Sequence, residues 1–283
     1  MRLRQIIMFC LLTSIITTAV SANSSKIEGT FAPKMLDAKI MGLGGAGSAY
    51  ITGSGAELIN PAGLARGEKV QLSTTQVSLL AGLLPASHWS FILPTKLGTF
   101  GLTATKIQPL FADFSYGEEE KTISWANSFK NLSLGANIKF LKLEGLLGER
   151  GEDFSGGGYS VDLGVTWEGK NLGYALIAHN VLNQLKGENY NPDQIPLSIG
   201  AGLVYSYDPT TKLIMDVTDL STKPFLHLAA EKFLSKELSL RLGFAKNSIN
   251  AGIGLAVGRI KLDYAYSLSE TEQDGFVTWG LQF

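Results

Sequence analysis

The sequence predicts an all-β protein, a transmembrane antiparallel β-barrel of about 14 strands with an N-terminal hatch segment in the lumen. Three observations lead there. From about residue 68 the chain divides into segments of roughly ten residues that alternate apolar with small or polar side chains. After the leader, no stretch of 18 or more apolar residues offers a spanning helix, which leaves a closed barrel as the way to satisfy backbone groups in a bilayer. The connections also alternate between short and long, as barrel turns and loops do.

Residues 1–22 read as a cleaved secretory signal. Arg2 and Arg4 supply the positive start, the stretch from residue 6 to 20 is mostly apolar, and Val20-Ser21-Ala22 is a small-residue cleavage pattern. The single cysteine, Cys10, lies inside this leader, so the expected mature chain has no disulfide. Over 283 residues, 24 basic side chains balance 25 acidic ones, which gives no reason to expect nucleic acid as a partner. Residues 23–67 do not alternate and are too long for an idle linker, so they are read as a plug or hatch folded into the barrel, partly helical.

The barrel proper covers 68–283. Its strands are expected at 68–77, 87–94, 98–107, 120–129, 131–143, 158–168, 171–181, 196–206, 211–218, 225–233, 237–245, 249–257, 259–268 and 274–283. In the mid-chain strands Leu132, Leu134, Ala136, Ile138 and Phe140 oppose Ser133, Gly135, Asn137 and Lys139. Next, Val161, Leu163, Val165 and Trp167 oppose Ser160, Asp162, Gly164 and Thr166, and later Leu238, Leu240, Leu242 and Phe244 oppose Ser239, Arg241, Gly243 and Ala245. In the penultimate strand Ile260, Leu262, Tyr264, Tyr266 and Leu268 share one face. The last strand sets Val277, Trp279, Leu281 and Phe283 on one face, ending on an aromatic residue that suits a barrel-assembly signal and so barrel-assembly machinery as a partner. The apolar face is almost unbroken, while the other mixes glycine, serine and charges as a lumen would. Tyr159, Trp167, Tyr205, Tyr266 and Phe283 near strand ends suit interfacial girdles against outer-membrane lipid. Connections near 94–98, 129–131, 168–171, 206–211, 234–236 and 257–259 are short, and those near 78–86, 108–119, 144–157 and 182–195 are long. Those near 219–224 and 269–273 are intermediate, and the one near 246–248 is the exception. The first group is assigned to the periplasm and the rest to the outside.

Within the N-terminal stretch, Gly42-Leu43-Gly44-Gly45-Ala46-Gly47 has the spacing of a dinucleotide fingerprint. That fingerprint works only between a strand and a helix with an acid about 20 residues on. Here Glu57 comes sooner and no strand–helix units follow, so the glycines are read as close packing of a thin segment in a barrel. Asn60-Pro61-Ala62-Gly63-Leu64 is a turn or a short helix start. His88, His179 and His227 face the predicted lumen on distant strands and lack metal-ligand spacing, so no metal and no cofactor is expected. Glu118-Glu119-Glu120 reads as a solvated surface, and no nucleophile-elbow pattern marks an enzyme. The loop around Leu79, Leu80, Leu83 and Leu84 is unusually apolar for an outer loop, and such loops contact something apolar.

The block Met41-Gly42-Leu43-Gly44-Gly45-Ala46-Gly47, then Glu57 and Asn60-Pro61-Ala62-Gly63-Leu64, resembles the mature N-terminus of the FadL-like outer-membrane superfamily, nearest its PorV/PorQ-type branch. Weaker echoes are Val161-Asp162-Leu163-Gly164-Val165 and Lys261-Leu262-Asp263-Tyr264-Ala265-Tyr266. Ile59 stands where that family commonly has an aromatic, and the outer loops are shorter than in large fatty-acid transporters. The resemblance implies a fourteen-stranded barrel in the outer membrane with a lumenal hatch built on Gly42, Gly44, Gly45, Glu57, Asn60, Pro61, Ala62 and Gly63. It implies passive uptake of a hydrophobic ligand such as a long-chain fatty acid, captured by Leu79, Leu80, Leu83, Leu84, Phe111 and Phe114. The PorV-type alternative is a component of protein secretion or envelope assembly, with secretion-system proteins as partners and no transport.

Overall fold

The computed structural model describes residues 31, 35–79, 84–107, 116–147, 152–188, 195–221, 223–269 and 273–283. The leader and residues 23–30 lie outside them. Fourteen antiparallel strands close into a barrel in chain order: β1 (Gln71–Leu79), β2 (Leu84–Thr95), β3 (Gly98–Ile107), β4 (Tyr116–Phe129), β5 (Leu132–Leu147), β6 (Glu152–Glu168), β7 (Leu172–Glu188), β8 (Ser198–Asp208), β9 (Thr211–Thr218), β10 (Phe225–Phe233), β11 (Leu238–Ala245), β12 (Ser248–Val257), β13 (Ile260–Ser269) and β14 (Gln273–Gln282). β14 pairs with β1 from Gln282 opposite Gln71 to Gly275 opposite Ser78, which leaves no free edge.

The pleat settles which side chains meet lipid. Leu102, Ile123, Ile138, Leu163, Leu176, Leu242 and Ile253 all point outward and are exposed, as is Trp279 at 54%. Their neighbours in sequence, among them Thr103, Ser124, Asn137, Asp162 and Arg241, are buried toward the inside. An apolar exterior over a polar interior inverts a soluble barrel and is what a lipid solvent demands.

β4 to β7 are taller than the alternation predicts, and two local features explain it. Gly156-Gly157 reads as the end of a loop, yet both continue β6 and pair with Gly187 and Lys186 of β7, and beside them a side chain at Gly158 would meet the Gln184 carbonyl oxygen at 1.8 Å. In β7 the alternation breaks at 179–182. Val161 pairs with Leu182 while Leu163 pairs with Ala178, so β7 bulges inward opposite Asp162. Asn180 takes a left-handed φ of 59° there, and its backbone N–H donates to Asp162 Oδ1 at 3.0 Å.

The inner face changes character with height. At the long-loop end Ala265, Phe276, Val77, Ala86 and Ile107 stand side by side across five paired strands, and Leu143 continues that row on β5 beyond Glu118. Two residues deeper, the corresponding row is Asp263, Thr278, Thr75, His88, Thr105 and Glu120. The inner face, read from the alternation as a mix of glycine, serine and charges, is therefore polar in this deeper row and apolar at the mouth.

Residues 35–67 lie inside the barrel. They form a one-turn helix, Ala38–Gly42, a second, Ala56–Ile59, and a 3-10 helix, Pro61–Arg66. The first helix packs on β11 to β14 and the 3-10 helix on β3 to β6. Those walls face each other across a ring of fourteen strands, so the segment bridges the lumen. No helix among the described residues is long and apolar enough to cross a membrane.

Candidate functional site: the bridged lumen

One end of the bridge is held by shape. Asn60 caps the 3-10 helix, its Oδ1 accepting from the Ala62 backbone N–H at 3.1 Å, and Pro61 is set for the first helical position. Asn60 Nδ2 donates to the carbonyls of Ser48 and, in the wall, Val165. The wall receives this turn on Gly135 and Gly164, which face each other across β5 and β6. A β-carbon on Gly164 would sit 2.0 Å from Asn60 Oδ1, and one on Gly135 would sit 2.4 Å from Ala62 N. The two glycines thus form a notch cut for the Asn-Pro-Ala turn. Just above it Asn137 Nδ2 donates to the Glu57 carbonyl at 2.8 Å and to Asp162 Oδ2 at 3.0 Å. Lys139 Nζ pairs with Asp162 at 2.8 Å. The Glu57 carboxylate is itself buried, with Oε1 3.4 Å from His88 Nε2.

The other end is held largely by charge. Glu231 on β10 is completely buried. It accepts from Arg241 Nε at 2.8 Å and from the Tyr50 hydroxyl, with Lys39 Nζ at 3.9 Å. Arg241 also reaches Asp263 at 2.6 Å. The backbone N–H groups of Gly47 and Ser48 converge on Asp216 Oδ2 at 2.9 and 2.8 Å, forming a small anion nest. His227 Nδ1 bonds the Gly44 carbonyl oxygen at 2.7 Å. Backbone also meets backbone here. A β-carbon on Gly44 would lie 2.9 Å from Phe244 N, and one on Gly243 would lie 2.2 Å from Gly44 N. Gly44 and Gly45 have φ of 62° and 79°, the left-handed region in which side chains are strained. At the start of the first helix Asp37 Oδ1 accepts from the Ile40 N–H, and Ala38 N–H donates to Thr278 Oγ1. Burial, with Asp263 nearby, pushes the Asp37 carboxyl up to about 6.

Leu36, Ala38 and the half-buried Met41 cover Val77, Ala86, Ile107 and Phe276 at the mouth, and Phe31 covers Leu141, Leu143, Phe154 and Ile195 farther round the wall. Between the segment and β7–β9, a recess lined by Met35, Ser48, Ile59, His179 and Asp216 holds about 20 Å³, room for a water molecule rather than a hydrophobic ligand.

The eight residues singled out from the sequence thus divide between two docking points. Gly42, Gly44 and Gly45 meet β10 to β12, and Glu57 with Asn60, Pro61, Ala62 and Gly63 meets β4 to β6. Leu79 and Leu84 form the last pair of the β1–β2 hairpin, while Leu80, Leu83, Phe111 and Phe114 lie outside the described residues. Trp279, Leu281 and Phe283 are exposed on the outer face at the closing seam, where Phe283 N–H donates to the Val70 carbonyl. His88, His179 and His227 have separate partners, Glu57, Asp162 and Gly44. No group of three potential metal ligands occurs among the described residues. Alternation put Arg241 and Asp263 on the inner face, while Asp216 and Glu231 were not placed from the sequence, and no local motif singled out any of the four as partners of the segment.

No family model and no curated protein matches the sequence. Solved structures do match the fold. The toluene transporter TbuX of Ralstonia pickettii superimposes with a TM-score of 0.70 over 90% of this chain and 100% of its own, at 13% identity. The toluene transporter TodX of Pseudomonas putida gives 0.68 over 91% and 99%, at 12% identity. A Pseudomonas aeruginosa FadL homologue gives 0.62 over 90% and 99%, at 10% identity. The barrel has the fold of these proteins. They are transporters and channels, not enzymes.

Proposed function

We propose that the protein is an integral outer-membrane channel for passive uptake of a hydrophobic small molecule, with residues 35–67 as its hatch. The observation that carries this reading is the apolar inner row at the mouth, Phe276, Val77, Ala86 and Ile107, above a polar waist. A channel for water and ions gains nothing from such a row, whereas a hydrophobic ligand leaving the long loops does. Leu36 and Phe31 already occupy these surfaces, so a ligand entering there competes with the hatch for the same apolar contacts. The match in fold to a toluene transporter and to a monoaromatic hydrocarbon channel supports the ligand class. Capture falls to the loop around Leu79–Leu84 with Phe111 and Phe114, and exit is assigned to the bulge of β7 at Asn180, where the β6–β7 register shifts. Transfer is downhill. Vesicles containing the protein should take up a radiolabelled aromatic hydrocarbon or fatty acid faster than empty vesicles, and equal rates would refute the reading.

The filled waist favours a second reading, a PorV-like scaffold for secretion or envelope assembly that never opens. It expects a stoichiometric protein partner on purification from native membranes and no effect on uptake.

A further inference from the structure

The structure assigns a lipid-binding function to the short-turn rim: a ring of cations that grips the phosphates of anionic phospholipids around the whole circumference. Of the six turns at this rim, five carry an exposed cation, Lys96, Lys130, Lys170, Lys236 and Arg259. Lys69 adds one where the chain enters β1, and the sixth turn, at 209–210, is flanked by Lys212 and Lys232. The acids at this rim are Glu68, Glu168, Asp208 and Glu237. Asp208 pairs with Lys232 at 3.6 Å and Glu168 with Arg66 at 3.9 Å. Lys69, Lys96, Lys130, Lys170 and Lys236 have no ion-pair partner among the described residues, and Arg259 lies over the Phe283 ring. The chain as a whole has a net charge of −1, so this rim concentrates positive charge.

Two features select lipid phosphate over other anions. The cations are distributed turn by turn around the barrel, which suits a ligand that surrounds it and not a macromolecule docked on one side. Each also stands beside an exposed apolar or aromatic side chain: Leu97 beside Lys96, Phe129 beside Lys130, Trp167 near Lys170, Leu234 near Lys236, and Ile260 and Phe283 at Arg259. That places the charges at the apolar boundary, where a long side chain lays its stem on hydrocarbon and its head among phosphates. On the opposite rim Lys121 is paired with Glu119 at 2.7 Å and Lys142 with Glu144 at 2.6 Å, and Lys246 lies over the Phe225 ring.

The test uses the purified full chain in detergent, offered equal amounts of phosphatidylglycerol and phosphatidylcholine with the same acyl chains, with retained lipid counted by native mass spectrometry. Phosphatidylglycerol should be retained about five-fold or more over phosphatidylcholine. The combined variant Lys96→Gln, Lys130→Gln, Lys170→Gln, Lys236→Gln should lose that preference. The variant Lys106→Gln, Lys121→Gln, Lys142→Gln, Lys186→Gln, on the other rim, should keep it. Each single rim substitution should lower retention in part, which covers a combined variant that does not fold. Equal retention of the two lipids, or a preference that survives removal of the rim lysines, overturns the proposal. So does thermal protection by inorganic phosphate alone that equals protection by phosphatidylglycerol.

Discussion

The two anchors of the N-terminal segment work by different physics. On β5 and β6 the Asn60–Ala62 turn fits a notch left by Gly135 and Gly164, and specificity comes from missing atoms. On β10 to β13 Tyr50 and Lys39 meet Glu231, Arg241 and Asp263, and specificity comes from buried charge. Lifting the turn also breaks the bonds from Asn60 to the Val165 carbonyl and from Asn137 to the Glu57 carbonyl and draws Glu57 from His88. A buried ionic network resists partial opening, because any group left unpaired in the low-dielectric interior is costly. The charged anchor is therefore the firmer hinge, and the glycine notch is the side from which a bridging segment would open.

Removing Arg241 should produce the largest effect. Arg241→Met leaves Glu231 and Asp263 facing each other without their shared cation, a loss of about 3–5 kcal/mol. In thermal unfolding it should cost more than the double variant Arg241→Met, Glu231→Gln. Hydrogen exchange should rise across residues 38–50 before it rises at 56–66.

Gly135→Val reverses that order. Its β-carbon strikes the Pro61–Ala62 backbone, so overpacking of about 3 kcal/mol should lift the 56–66 turn while 38–47 stays docked. Hydrogen exchange resolved by segment distinguishes the two outcomes, and uniform loosening in both variants would mean the anchors are not independent.

Asp37 sharpens the charged side. Its carboxyl is raised by burial, so the folded state holds its proton more tightly than the unfolded one. That contribution is complete below about pH 4 and lost as the pH rises through about 6, at most about 3 kcal/mol. Asp37→Asn keeps the cap acceptor for Ile40 and should flatten the decline in melting temperature between pH 4 and 7.

The smallest effect is the most diagnostic of shape. Asn60→Ala should cost about 1 kcal/mol through the lost cap. It also removes the atom that Gly164→Ala would strike, so the double variant should be less destabilised than the two singles predict.

The barrel was legible because its signal is repetitive. Strand β3 at 98–107, β9 at 211–218 and β10 at 225–233 fall where the alternation puts them. It failed where local chemistry hides the period. The pair Gly156-Gly157 imitates a loop, and the Asn180 bulge interrupts β7. The motif Gly42–Gly47 was legible as close packing, since glycine has a mechanical meaning without its partner. Glu231 and Asp216 were not, because a charge on an inner face can equally be solvated, and only the fold brings residues 47–50 to it. The apolar mouth at Val77, Ile107 and Phe276 was not legible because alternation marks a face and says nothing about height along it.

The most direct test locks the segment to the wall. Ala38 N–H donates to Thr278 Oγ1 at 2.9 Å, which keeps the two α-carbons within about 6.8 Å, the span of a disulfide, and Cys10, in the predicted leader, is the only native cysteine. In the variant Ala38→Cys, Thr278→Cys, uptake of a hydrophobic substrate into vesicles should fall to the level of empty vesicles on oxidation and return on reduction. Equal uptake in the oxidised and reduced states, with the disulfide confirmed by mass, would contradict a lumenal route gated by this segment.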